Sequence, residues 1–227
     1  MTDKATVVLL HGLARTHRSL SGLERFVRAN GYETWSHTYP SRRLSIAELA
    51  DSVAERIAAE LPGRPLVAVT HSMGGILVRH MATRLPWRGV LMLAPPNAGS
   101  RVAAGLKSNP VFRWYFGPAA QDVAHCGAWP PPPTPCAVIA GTRGPSVGNV
   151  PSWLSSGLGL MPKGEPHDGT VTVAETQVTP MAAFATVPAS HTWIMNHPDT
   201  RRLVLRFLER GDFGGEQAGG VGRRVGD

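Results

Sequence analysis

Two kinds of hydrophobic pattern alternate along this chain. Residues 5–10 are almost continuously apolar, as in a strand buried on both faces of a parallel sheet. Residues 19–30 carry Leu20, Leu23, Phe26 and Val27 at helical spacing, and Gly31 stops the pattern. Residues 32–38 alternate, as an edge strand does. Ser45 opens the clearest helix, because Glu48 three positions on completes a capping box. Its apolar face is Ile46, Leu49, Val53, Ile57 and Leu61, and Pro62-Gly63 ends it. Residues 66–69 form a short buried strand that runs into Thr70-His71-Ser72-Met73-Gly74, and residues 76–81 then suit a helix lying against a sheet. Residues 90–93, introduced by Gly89, are the next strand.

Beyond residue 94 the rhythm is lost until residue 135. Pro95 to Ser100 is a turn cluster, residues 111–116 (Val-Phe-Arg-Trp-Tyr-Phe) are unusually aromatic, and Pro130 to Pro133 is an extended proline run. Some forty residues without strand–helix alternation predict a cap over an α/β domain, with part of the segment serving as a crossover in the sheet layer. Residues 136–140 resume the sheet. A second loose stretch, 143–166, leads to His167-Asp168-Gly169, residues 184–187 are a last short strand, and residues 199–210 a last helix with Leu203, Val204, Phe207 and Leu208 inward. Residues 211–227 are glycine-rich and nearly without apolar groups, which predicts a disordered tail after a single domain spanning 1–210. The alternation gives the fold class: α/β, doubly wound, with a mostly parallel sheet of about six strands and an inserted cap at about 95–135. Ligands in such sheets bind beyond the carboxyl ends of the strands.

Composition narrows the function classes. With 42% hydrophobic and 17% charged residues the chain reads as a globular domain, long enough at 227 residues for one core. Its formal charge of +7 comes almost wholly from arginines. These are scattered, with no basic block, which argues against a nucleic-acid partner and leaves a weak attraction to anionic lipid or acyl-carrier surfaces. No segment reaches the length of a membrane span. The apolar run before His11 is too short for a signal-peptide core, so a cytoplasmic location is expected. Cys126 and Cys136 bracket the proline run; a reducing cytosol keeps them as free thiols, whereas export would allow a bridge. No His, Cys, Asp or Glu cluster has metal-ligand spacing, and no dinucleotide or phosphate-loop fingerprint occurs, so neither metal nor cofactor is expected. The pattern leaves oligomeric state open.

Ser72 is the position with chemical meaning. A serine between a buried strand and a helix sits on a strained turn that pushes its hydroxyl out, and the helix N-terminus offers free N–H groups to an oxyanion. An ordinary N-cap serine is the bland alternative. A serine hydroxyl needs an adjacent base, itself oriented by a third group. The best-placed base is His191, late in the chain just after the last strand and with a helix beyond it; His197 is the runner-up and His71 is assigned to the packing of the turn. The acids between Ser72 and His191 are Asp122, Glu165, Asp168 and Glu175. Asp168, in the loop after the strand at 136–140, is best placed, with Glu165 and Asp122 behind it. Met73, the residue after the serine, offers one oxyanion amide.

The stretches Val-Val-Leu-Leu-His-Gly-Leu, Thr-His-Ser-Met-Gly-Gly, Asp168-Gly169 and Ser190-His191-Thr192 resemble the α/β-hydrolase family, and within it the small bacterial lipases and esterases. The resemblance covers about residues 5–210, with Thr70 standing where the family has glycine. It implies the strand order 2-1-3-4-5-6, an acid in an Asp-Gly pair, hence Asp168, and a second oxyanion amide after the strand-terminal His-Gly, hence Leu13. The expectation is a serine esterase or lipase cleaving small-molecule or lipid esters through Ser72, Asp168 and His191. Phe112, Trp114 and Phe116 are expected to bind an apolar acyl group of medium length. The rival readings are a thioesterase or acyltransferase with the same triad, and a hydrolase-like binding protein without catalysis.

Overall fold

The computed structural model describes residues 4–124, 129–144, 161 and 164–214. Six strands, β1 (Thr6–Leu10), β2 (Thr34–Ser36), β3 (Leu66–His71), β4 (Trp87–Leu93), β5 (Cys136–Gly141) and β6 (Ala183–Val187), form one sheet in the order β2-β1-β3-β4-β5-β6. Every neighbouring pair is parallel. The helices are α1 (Ser21–Ala29), α2 (Ile46–Glu60), α3 (Met73–His80), α4 (Arg101–Leu106), α5 (Pro110–Ala124) and α6 (Pro198–Arg210).

The period-two alternation of strand side chains divides the interior into two cores. Val8, Leu10, Ala68, Met92 and Val138 point to the face covered by α2, α3 and the second half of α5. Val7, Leu9, Val69, Leu91 and Ile139 point to the other, against α1 and α6. Buried on both sides, the central strands have no polar face, which is why they read as unbroken apolar runs. The doubly wound sheet and its strand order are those expected.

Helix α2 begins as its sequence requires. The Glu48 amide donates to Ser45 Oγ at 3.3 Å, and the Ser45 amide donates to the Glu48 carboxylate at 2.8 Å. Asp122 accepts the Ile46 amide at 2.8 Å, tying α5 to this first turn.

The segment expected to be irregular holds two helices. Periodicity failed to reveal them because α4 is only six residues long and because α5 breaks at Gly117 (φ 70°) and Pro118. A side chain at Gly117 would collide with the Arg42 carbonyl, so a close crossing, not helix propensity, sets that residue. Past the break, Ala119, Ala120, Val123 and Ala124 are buried in the core, and this half of α5 is the crossover between β4 and β5. Before the break, Phe112 still packs against that core, while Val111, Trp114 and Tyr115 are exposed. Residues 130–133 carry neither helix nor strand, as the proline run predicts.

Cys136 is a buried free thiol at the start of β5, its pKa pushed up to about 12 by burial. Cys126 lies outside the described residues. No helix among the described residues is long and apolar enough to cross a membrane.

The composition of 211–227 predicts a tail, but its first residues are tied down. Gly211 closes α6 in the left-handed conformation, its amide donating to the Phe207 carbonyl at 2.8 Å, and Phe213 is buried in the core beneath α1 and α6. The packed domain therefore extends past Arg210, while residues 215–227 lie outside the described residues. Truncation after Arg210 is expected to cost about 1.5–3 kcal/mol, the burial of one phenylalanine. Urea unfolding of the full and shortened chains measures it, and Phe213→Ala should reproduce most of the loss.

Candidate active site

The site grows from the turn between β3 and α3. Ser72 has φ 54° and ψ −127°, a conformation that a β-carbon disfavours, and it is held there from outside. Its amide donates to the Leu93 carbonyl at 2.8 Å, and its carbonyl accepts the Gly75 amide at 2.9 Å. A β-carbon on Gly74 would stand 2.6 Å from the Leu10 carbonyl oxygen, so β1 can pass this closely only because Gly74 has none. Thr70 takes the place of the family's glycine without disturbing the turn. It remains in β3, in register with Leu10 and Met92, and is fully buried.

His191 follows β6, and its Nε2 lies 3.0 Å from Ser72 Oγ. Its Nδ1 lies 2.7 Å from Asp168 Oδ2. An ionised carboxylate can only accept, so Nδ1 carries the proton and Nε2 presents a lone pair to the serine hydroxyl. Asp168 is aimed by its own turn: Oδ1 accepts the Thr170 and Val171 amides at 2.9 and 2.8 Å, leaving Oδ2 for the imidazole. The His191 amide also donates to the Asp168 carbonyl at 3.0 Å, so backbone and side chain fix the pair together. Asp168 is completely buried, and its three donors compensate the loss of water around a charged group.

The rival groups sit elsewhere. Asp122 caps α2, Glu165 faces Arg101 at 3.5 Å, and Glu175 accepts the Arg101 and Thr172 amides. His197 caps α6, its Nδ1 accepting the Asp199 amide at 3.2 Å. His71 packs inside the turn as expected: its Nε2 lies 2.9 Å from the His191 carbonyl oxygen, and burial holds its pKa well below the usual histidine range.

Three contributions to the site carried no signal in the sequence. A β-carbon on Gly141 would meet the Ala189 carbonyl at 2.5 Å and Asp168 Cβ at 2.8 Å, so β5 must end in glycine for the acid and the histidine loop to converge. Beneath the His-Gly turn, the buried His11 ring stacks on Tyr39 at 3.8 Å. His11 Nδ1 donates to the Gly12 carbonyl at 2.8 Å, Nε2 accepts the Tyr39 amide at 3.3 Å, and the Tyr39 hydroxyl donates to the His11 carbonyl. Ser41 Oγ accepts the Ala14 amide at 3.0 Å and fastens the far end of the same loop. Apart from the neighbouring Gly12, the partners of each lie tens of residues away, beyond the reach of any local pattern.

Ser72 and His191 open into a cavity of about 960 Å³, whose walls include Leu13, Met73, Phe112, Tyr115, Phe116 and Trp193. Two of the three aromatic residues expected there are present, but Trp114 is not. At 100° per residue, Phe112, Tyr115 and Phe116 share one face of α5 and Trp114 falls on the opposite one. Its indole is 78% exposed and lines a separate, smaller cavity. Tyr115 and Trp193 take the place assigned to it. Among the described residues, no group of three or more His, Cys, Asp or Glu side chains could hold a metal ion.

The model of the Alpha/beta hydrolase family matches residues 7–217. The chain belongs to the alpha/beta hydrolase family. Among solved structures, the mature form of a Bacillus licheniformis lipase superposes with TM-score 0.71 at 16% identity, covering 92% of this chain and 93% of the lipase. A Legionella pneumophila phospholipase gives 0.69 at 20% identity over 90% of this chain, which spans 60% of that protein. A thioesterase of the prodiginine biosynthetic pathway in Streptomyces coelicolor gives 0.53 at 13% identity, with coverages of 92% and 86%. At these identities the likeness establishes the fold alone. No curated protein matches the chain.

The electrostatics of this hydrolase make a prediction about pH. Burial lowers the His11 pKa from 6.5 to about 4, and His71 shifts in the same direction. Unfolded, both imidazoles take protons near pH 6.5, so between that pH and about 4 the unfolded chain binds more protons than the folded one. Stability is therefore full above about pH 6.5 and falls as pH drops towards 4. Urea unfolding across this range should show the decline, and His11→Gln should reduce its slope.

Proposed function

We propose that the protein is a serine hydrolase of carboxylic esters, with Ser72 as nucleophile, His191 as general base and acid, and Asp168 as the group that orients the imidazole. The observation that carries this reading is the unbroken hydrogen-bonded chain from Ser72 Oγ through His191 to Asp168, at 3.0 and 2.7 Å, opening into a largely apolar cavity. A protein that only binds its ligand has no use for a buried carboxylate, a correctly tautomerised imidazole and a strained serine in one line.

In the first step Ser72 Oγ forms a bond to the ester carbonyl carbon as its proton passes to His191 Nε2. Negative charge gathers on the carbonyl oxygen, and the Met73 and Leu13 amides receive it; the Met73 amide is free because it opens α3. When the intermediate collapses, the carbon–oxygen bond to the alcohol breaks and His191 returns the proton to the leaving oxygen. Water then enters, gives a proton to Nε2 and attacks the acyl-serine. Ser72 recovers that proton as the acid departs. Throughout, Asp168 remains ionised and stabilises the imidazolium. The same steps cleave thioesters, so a panel pairing chromogenic esters with acyl thioesters defines the leaving group.

Ser72→Ala is expected to lower turnover by several orders of magnitude and to abolish labelling by a fluorophosphonate while the fold survives. Asp168→Asn should cost about three to four orders of magnitude by favouring the wrong tautomer, and Glu165→Gln and Asp122→Asn far less. Wild-type protein that refuses the label would refute the reading.

The aromatic wall predicts chain-length dependence. Each methylene buried against Phe112 and Phe116 gains about 0.8 kcal/mol until the cavity is full, so kcat/KM should rise from acetyl to medium-chain esters and then level. Phe112→Ala should flatten the rise with little effect on acetyl esters. Trp114→Ala, on the opposite face of α5, should leave the chain-length profile unchanged.

A further inference from the structure

Arg15 stands between two cavities. The one that holds Ser72 and a smaller one of about 560 Å³ share Ala14, Arg15 and Thr16, and the smaller is further lined by Ser41, Arg42, Arg43 and Trp114. The two differ in chemistry. Aromatic and aliphatic side chains dominate the first, while three guanidinium groups border the second.

Arg28, Arg56, Arg64, Arg84, Arg101 and Arg202 each face a carboxylate, and the Arg79 guanidinium donates to the Pro130 and Trp129 carbonyls. Among the described residues no carboxylate pairs with Arg15, Arg42 or Arg43. Arg42 is held instead by the Tyr115 ring, 4.3 Å away, and by the Tyr115 carbonyl, which fixes it at the rim. Arg15 is only partly exposed, and desolvation lowers its pKa. A half-buried guanidinium without a counter-ion loses hydration and gains no ion pair in return. Arg15 lines the same cavity as Ser72, where an anionic group on a bound molecule would supply the missing partner.

We infer, on the basis of the ester reading above, that the substrate carries a phosphate group on its alcohol or thiol side, bound in the smaller cavity by Arg15, Arg43 and Arg42. With the acyl chain against Phe112 and Phe116 and the carbonyl at Ser72, the other half of the substrate leaves past Arg15. Phosphate suits the site better than a single carboxylate, because it brings a charge of about −1.5 to −2 and three acceptor oxygens to three cations. The planar forks of arginine meet those oxygens two at a time. Two sources share this chemistry: a phosphorylated glycerol headgroup, and the phosphates of a thiol carrier.

The test compares substrates that differ only in phosphate: hexanoylglycerol phosphate with hexanoylglycerol, and hexanoyl-4′-phosphopantetheine with hexanoyl-pantetheine. The phosphorylated member of one pair should have kcat/KM higher by roughly tenfold to a hundredfold, mainly through KM, as charge-assisted hydrogen bonds provide. The pair that shows the preference identifies the source. Arg15→Gln should bring the ratio to about one, and Arg15→Lys should keep part of it. Because the ratio is taken within one protein sample, any loss of folded enzyme cancels. Calorimetric titration with inorganic pyrophosphate reads the site without turnover: heat of binding in the wild type should vanish in Arg15→Gln. Binding without cleavage of any ester would refute the ester reading and leave the phosphate site standing. Ratios near one for both pairs, or a preference that survives both Arg15→Gln and Arg43→Gln, would overturn the site.

Discussion

The close crossing of β1 over the turn at Ser72 is the constraint on which the rest of the molecule hangs. Ser72 holds a φ of 54° because the strands on either side leave it no other path: Leu93 takes its amide, and the Leu10 carbonyl occupies the space a side chain at residue 74 would need. Backbone strain of this kind, of order 1–3 kcal/mol, persists only where the surroundings over-determine it. Here the surroundings are the middle of a sheet buried on both faces, the part of the fold least able to yield. Relaxing the turn would require β1 and β3 to part, and both cores would lose contacts at once.

From that fixed point the polar groups are placed by short loops at the carboxyl ends of neighbouring strands. Asp168 and His191 come from the loops after β5 and β6, which converge because Gly141 leaves room for them. The buried Asp168 side chain is supplied with two amides and an imidazole N–H, which take the place of water around it. On the opposite flank the His11–Tyr39 stack does the same for the loop after β1. Its pattern of donors and acceptors requires a neutral imidazole, which agrees with the fall in the His11 pKa on burial. The site therefore rests on two buried histidines, His11 and His71, whose pKa values burial holds down.

Helix α5 shows how one element serves two layers. The break at Gly117 lets its second half sink into the core as a crossover while its first half turns aromatic side chains over the mouth of the cavity. Because a helix has two sides there, the wall it forms has two chemistries. Phe112 and Phe116 face the serine, and Trp114 faces the arginines of the adjoining cavity.

Local chemistry settled much of this from the sequence. Continuous apolar runs mark strands buried on both faces, Ser45 and Glu48 mark the start of α2, and both signals depend on residues within a few positions of one another, so they survive without knowledge of the fold. The strand order and family followed from motifs whose spacing is likewise local. Ser72, Asp168 and His191 were singled out by their places after strands and in chain order, and the tertiary structure brings these three together. What sequence could not supply were facts about approach. Trp114 and Phe112 are equally aromatic, and only the helical phase of α5 decides which meets the cavity. Phe213 lies in a glycine-rich stretch, yet α6 ends where its ring can reach the core. Gly141 and Gly117 are indispensable because backbone from elsewhere in the chain passes too close for a side chain. Arg15 looks like any scattered surface arginine until the loops around it are folded and no carboxylate among the described residues pairs with it. Each is a matter of distance between segments far apart in the chain, and that quantity exists only once the chain is folded.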